Sequence, residues 1–299
     1  MKFLLFGGAG FIGVNLARYL RSKGHEVIIG KRRGAAPRPL IAEALAGLEA
    51  REYSDPAALI EEAAPDVMVN LVAVLHGSRE EIRRANADFP RSLCDASRRV
   101  GWRGRVVHIS GATVVGPGRT REEERHLEGI DPITYFDKTK AEGERAVASC
   151  FDDWVIVRPT AVYGPYNDHP EWAALVRVAK LGLAPRIKIK FSTISVSDLS
   201  VVVERAAIIA PSRQYFFATE CKPVDFDLVV EALEEAAGRR LAKLPLPVAL
   251  AKALAPSSVR GLLKFMGVEF SCEKMKNVIG YEASFRRNDM VQMFKMLWS

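Results

Sequence analysis

The chain has 299 residues, 48% of them hydrophobic and 26% charged, with 43 Lys/Arg against 36 Asp/Glu. A chain of that length and apolar content can bury a substantial core, and no run approaches the roughly 18 uncharged apolar residues that a membrane span needs. The N-terminus enters an apolar strand directly, so neither a transmembrane helix nor a signal peptide is expected, and the expected location is the cytoplasm.

Met1-Lys-Phe-Leu-Leu-Phe6 reads as a strand, Gly7-Gly-Ala-Gly10-Phe11-Ile12-Gly13 as a tight turn, and Val14 to Leu20 as a helix, with Leu16, Ala17 and Leu20 on one face. Glycines at 7, 10 and 13 let the backbone approach a pyrophosphate closely. The helix start offers unpaired N–H groups and a partial positive charge, which is the chemistry of a dinucleotide site. The next strand, Glu26 to Gly30, decides which dinucleotide. An acid at its end would bind the adenosine ribose hydroxyls of NAD, but the chain offers Gly30 and then Lys31-Arg32-Arg33. Three cations and no acid favour the 2′-phosphate of NADP(H), with NAD as the alternative; a solvated basic loop would also account for them.

Further segments follow in order: Arg51-Glu52-Tyr53-Ser-Asp55-Pro56, Asp66-Val-Met-Val-Asn-Leu71-Val-Ala73, and Asn86-Ala-Asp-Phe-Pro. Then come Ser110-Gly111-Ala-Thr-Val-Val115-Gly116, Pro132-Ile-Thr-Tyr135-Phe136-Asp137-Lys-Thr-Lys140-Ala-Glu142 and Arg158-Pro159-Thr-Ala-Val162-Tyr163-Gly-Pro165. Phe191 to Leu199 and Lys276 to Glu282 complete the series. This order resembles the extended short-chain dehydrogenase/reductases, the NAD-dependent epimerase/dehydratase family. The resemblance runs through roughly residues 1 to 235, with the Lys276 to Glu282 echo near the C-terminus.

The resemblance implies a Rossmann-type α/β fold, a doubly wound parallel sheet with a smaller C-terminal substrate lobe. Alternating strands and helices agree with it. Residues 1–165 would form the dinucleotide-binding core, with returns near 191–220, and residues 166–299 mainly the lobe. It further implies Glu52 facing the adenine amino group with Tyr53 beside it, and Leu71 and Ala73 running past the cofactor. Lys140 would bind the nicotinamide ribose, with Pro159 and Val162 beside the nicotinamide. Asn86 would be a structurally important residue at a helix head; as a bare sequence feature it could equally cap a helix.

Departures from the family pattern concern chemistry. Phe136 stands four residues before Lys140, where the family has its catalytic tyrosine. Residues four apart lie about 40° apart around a helix and residues five apart about 140°, so Phe136 shares a face with Lys140 and Tyr135 does not. Gly111 stands where the family places a substrate-positioning hydroxyl, and Val115 replaces the motif's tyrosine. Loss of the catalytic tyrosine is shared by the atypical branch that includes the NADPH-binding accessory subunit of respiratory complex I, which Leu244-Pro-Leu-Pro247 and the segments after it resemble; such departures bear on the role of this chain. They favour a binding, sensing or assembly role. The alternative is an active reductase, dehydrogenase or epimerase on a sugar-nucleotide-like substrate, with Tyr135, Asp137, Tyr163 or His76 as substitute acid.

Cys94, Cys150, Cys221 and Cys272 are widely spaced, and His25, His76, His108, His126 and His169 show no ligand spacing. No metal is expected, and the cysteines read as small core residues in a reducing cytoplasm. Few glutamines beside abundant Arg, Lys and Glu would suit a thermophile. From Arg239 onward there are 11 Lys/Arg against four Asp/Glu, while residues 1–238 balance at 32 each. The basic segments Leu244 to Ala255 and Val259 to Met266 leave three readings open: attraction of an anionic small-molecule substrate, basic amphipathic helices on a cytoplasmic membrane face or a protein partner, or a solvated rim. No nucleic-acid motif accompanies the charge. The family often pairs through the helix carrying Lys140 and its neighbour, which leaves a homo-oligomer as one open reading.

Overall fold

The computed structural model describes residues 1–34, 36–117, 121–122, 129–250, 262–265 and 267–299. Strands β1 (Lys2–Phe6), β2 (Glu26–Arg32), β3 (Glu49–Tyr53), β4 (Val67–Asn70) and β5 (Arg105–Ile109) are joined by two later ones, Trp154–Pro159 and Gln214–Ala218. All seven pair in parallel, in the spatial order Gln214–Ala218, Trp154–Pro159, β5, β4, β1, β2, β3. This is the expected doubly wound sheet. Strand order reverses between β1 and β4, which opens a crevice at their C-terminal ends, where such sheets take ligands.

Both faces of the sheet are covered, so the central strands are continuous apolar runs. On one face Leu16, Ala17 and Leu20 of α1 (Phe11–Ser22) meet Val202, Val203 and Ala206, with Met275 and Ile279 of the helix Glu273–Ile279 in the same cluster. Helix α2 is Pro39–Ala44. On the other face lie Leu59 and Ile60 of α3 (Pro56–Ala63), with α4 (Arg79–Arg83) leading into α5 (Phe89–Arg99), which contributes Leu93 and Ala96. Val147 of α6 (Tyr135–Cys150) joins them. Helices α7 (Pro170–Lys180), α8 (Val196–Ile208) and α9 (Phe226–Ala237) follow; α7 and α9 enclose a separate cluster with Met290 and Phe294 of the helix Arg287–Trp298.

Two expectations change. Leu244 and Pro245 are not helical: Ala242–Pro245 is a strand parallel to Leu183–Arg186, and the Leu246 N–H reaches the Arg186 carbonyl at 3.0 Å. Pro245 and Pro247 lack N–H donors and favour extended backbone before them, which outweighs the helical spacing of the leucines. Of the two basic segments, residues 251–255, 259–261 and 266 lie outside the described residues, as does His126, and Leu262–Phe265 forms a short 3-10 helix.

Nor are the cysteines free. Cys94 is bonded to Cys150 and Cys221 to Cys272, with Cα atoms 6.0 and 5.2 Å apart. Separations of 56 and 51 residues hid pairs that helix packing brings together: α5 lies against α6, and the loop after Gln214–Ala218 meets the N-cap of Glu273–Ile279. Closing a loop of that size removes about 4 kcal/mol of unfolded-chain entropy. Cys272→Ser is therefore expected to lower unfolding stability by about 3–4 kcal/mol in urea under oxidising conditions. An unchanged midpoint would mean that this bond does not form.

Candidate functional site

The crevice is floored by the turn between β1 and α1. Gly7 has φ +80°, and a Cβ there would stand 2.8 Å from the Leu71 and Val72 backbone. At Gly13 a Cβ would meet the Gly8 backbone at 2.4 Å, so helix and turn touch as a side chain would forbid. Gly10 is the N-cap and supplies no side chain, which leaves the first N–H groups of α1 uncapped by the chain. Phe11 is buried and Ile12 half-buried against Val196 and Ile41, holding the helix start in place. Leu71 leaves β4 with its N–H on the Phe6 carbonyl at 2.8 Å, and Ala73 is exposed beyond it.

At the end of β2, alternation turns residue 30 inward: a Cβ on Gly30 would meet Leu59 at 3.0 Å and Phe6 at 3.2 Å. The side chain at the rim is that of Lys31, which binds Glu52 at 2.8 Å. Lys31 holds the Glu52 carboxyl below its ordinary pKa, with Arg33 adding to the effect. Arg32 and Arg33 are exposed and enter no ion pair among the described residues. Tyr53 turns the other way, buried edge-on against Phe6 at 5.3 Å, and burial pushes its phenol up to about 12.

Asn86 is not a helix cap. It lies in a single π-helical turn (Arg84–Asp88) between α4 and α5, fully buried. Its Oδ1 accepts from the Val74 N–H at 3.0 Å, and its Nδ2 donates to the Val74 carbonyl at 3.1 Å and to Thr139 Oγ1 at 3.2 Å. It thus ties the β4 exit loop to α6, beside Lys140.

Lys140 is fully buried and donates from Nζ to the Ile109 carbonyl at 2.6 Å. Burial lowers its pKa to about 8, with Glu144 opposing. His108, on the same strand end, is held well below its ordinary value by burial and by Lys140; its Nδ1 accepts from Asn70 Nδ2 at 3.1 Å. Phe136, Lys140 and Glu144 recur every four residues and so share the face of α6 turned to the sheet. Glu144 fixes that face through a fully buried pair with Arg158, at 2.7 and 3.0 Å.

The expected substitute acids scatter. Tyr135 opens α6 with its ring under the Arg79 guanidinium, 5.2 Å away. Asp137 is buried and accepts from the hydroxyls of Thr113 and Thr134; burial raises its pKa while both hydroxyls oppose. It ties the 111–116 loop to the helix start. Tyr163 is fully buried, donating to Glu220 at 2.6 Å and accepting from the Arg286 N–H at 2.8 Å, which commits it to the C-terminal lobe. Pro159 ends its strand buried, and Val162 packs half-buried against Phe11 and Val196. Gly111 looks into space: a Cβ there would have Thr113 Oγ1 at 3.9 Å as its nearest neighbour.

The NAD dependent epimerase/dehydratase family matches residues 3–190. The chain belongs to that family. The chain is similar to the sterol demethylase protein B of Methylococcus capsulatus, 28% identical over 85% of this chain and 80% of that one. A dTDP-4-dehydrorhamnose reductase of Burkholderia thailandensis is 30% identical over 54% of this chain and 51% of its own length. Among solved structures, a UDP-glucuronic acid 4-epimerase of Bacillus cereus in complex with NAD superposes with a TM-score of 0.78 at 18% identity, both chains covered completely. That likeness establishes the fold, a Rossmann-type α/β sheet flanked by helices.

Sequence spacing missed one constellation. His76, in the loop after β4, and His169, at the N-cap of α7, face each other with ring centroids 6.5 Å apart, and Glu171 stands beside His169. Burial lowers the His169 pKa, and Glu171 opposes it. Ninety-three residues separate the two histidines in the chain, so no local motif signals them.

Proposed function

We propose that this chain binds NADP(H) in the β1–α1 crevice and serves there as a binding, sensing or assembly protein, without the family's tyrosine-dependent proton transfer. The observation that carries this reading is the α6 face: Lys140 is buried in the family position, while Phe136 one turn earlier has no ionisable group and residue 111 offers no hydroxyl. The glycine turn and the uncapped α1 start fit a pyrophosphate, Lys140 fits the nicotinamide ribose, and Glu52 the adenine side, while Tyr53 is turned into the core. NADP(H), when bound, supplies a transferable hydride. Residues of this chain supply its binding and orientation, and at positions 111 and 136 no proton.

Arg32 and Arg33 support the preference for the phosphorylated cofactor, since Lys31 is already neutralised by Glu52. Replacing both with Ala is expected to weaken NADP(H) by about 1–3 kcal/mol per lost charge-assisted contact and to leave NAD(H) nearly unchanged. Calorimetric titration of both cofactors decides it. Equal losses, or tighter NAD(H) binding by the unaltered chain, would remove the assignment.

The relatives named as a reductase and a sterol demethylase protein favour a second reading, an active oxidoreductase that draws its proton elsewhere. On this reading Tyr135 is the candidate, because Asp137 and Tyr163 are tied into buried networks.

A further inference from the structure

We propose that His76, His169 and Glu171 form a binding site for a zinc-class divalent cation at the mouth of the crevice. One ligand atom from each residue lies within 4.8 Å of the other two, and His169 Nδ1 is 3.8 Å from Glu171 Oε1. Two imidazoles and one carboxylate are a donor set that suits Zn²⁺ and leaves its fourth position to water or a ligand oxygen.

Two of the three donors are built in. Asn167, buried, donates to the Val162 carbonyl at 3.0 Å and accepts from the His169 N–H at 3.0 Å, which fixes the turn before α7. Pro170 then starts the helix, placing Glu171 in its first turn. The His169 ring rests edge-on against Phe11, 6.4 Å between centroids, so the cluster borders the glycine turn. The neighbouring carboxylate, Asp168, is engaged by Arg38 and is not a competing donor. Glu171 Oε2 is buried and has no hydrogen-bond partner among the described residues. A buried carboxylate oxygen left unsatisfied is costly, and a cation is the partner that its geometry lacks.

The third donor comes from an exposed loop. Ligand atoms around a tetrahedral Zn²⁺ with bonds of about 2.0–2.1 Å sit roughly 3.3 Å apart, so closure asks His76 to move inward by about an ångström. The loop after β4 has no regular structure between Leu71 and Ser78, and Asn86 anchors it at Val74, which leaves His76 free to make that shift.

Testing it requires no dinucleotide and no turnover. The full chain, kept oxidised so that its four cysteines stay paired, is stripped with chelator and titrated with ZnCl₂ by calorimetry and with CoCl₂ by visible absorption. Saturable binding of one ion per chain is expected, with the intense d–d bands of four-coordinate Co²⁺. His76→Ala and Glu171→Gln should each weaken binding by more than the about 10–100-fold that losing an outer-shell partner costs. Circular dichroism checks folding; should Glu171→Gln misfold, exposed His76→Ala alone decides. Absence of saturable binding, or an affinity that His76→Ala leaves unchanged, overturns the proposal.

Discussion

The double variant Phe136→Tyr, Gly111→Ser is expected to raise cofactor-dependent turnover by about 10²–10⁴-fold over the unaltered chain, the contribution of one positioned general acid. Three conditions for that gain are present. Lys140 is buried on the face of α6 that residue 136 shares, and its cationic form would pull a phenol's pKa towards neutrality. At residue 111 backbone φ is −158°, an extended conformation open to serine, with no atom nearer than 3.9 Å to the new Cβ. The helix start is held by the Thr134–Asp137 capping box, independently of either substituted side chain. The measurement is NADPH oxidation or NADP⁺ reduction across nucleotide sugars and simple carbonyls. If the unaltered chain already turns over and Tyr135→Phe abolishes that activity, a displaced tyrosine transfers the proton and the non-catalytic reading is wrong.

A comparable effect on stability is expected at Glu144. Its carboxylate and the Arg158 guanidinium are both fully buried, with two hydrogen bonds between them. Glu144→Ala takes the paired carboxylate from a buried guanidinium and should cost about 3–5 kcal/mol in urea unfolding. Glu142, two residues earlier, faces solvent and Arg91 at 3.2 Å; Glu142→Ala should cost no more than about 1 kcal/mol. Replacing both members of the buried pair with apolar residues, Glu144→Met with Arg158→Leu, should recover most of the loss. Similar costs for Glu142→Ala and Glu144→Ala would show that the buried pair has no special weight.

Legibility in the sequence followed distance along the chain. The β1–α1 turn, the parallel strands and the α6 register were readable because each rests on neighbouring residues: glycines three apart, apolar runs, a spacing of four between Phe136 and Lys140. What depends on two segments meeting was not. Glu52 gave no sign that it would neutralise Lys31, because the β2–β3 register that puts them side by side is set by the whole sheet. Cys94 and Cys150 read as isolated thiols until α5 packed on α6. Tyr163 sits in a family motif beside the crevice, yet its hydroxyl turns to Glu220, a residue 57 positions later whose carboxyl burial raises to about 7. Local pattern names the strand on which a side chain sits; tertiary packing decides which way that side chain is used.

The open space at residue 111 also makes the site observable. All four native cysteines are bonded, so Gly111→Cys would give the chain its one free thiol, two residues beyond β5 where the missing hydroxyl would have stood. An environment-sensitive dye attached there would report arrival of a ligand in the crevice without requiring that ligand to react. Occupancy is then followed optically, with turnover removed from the measurement.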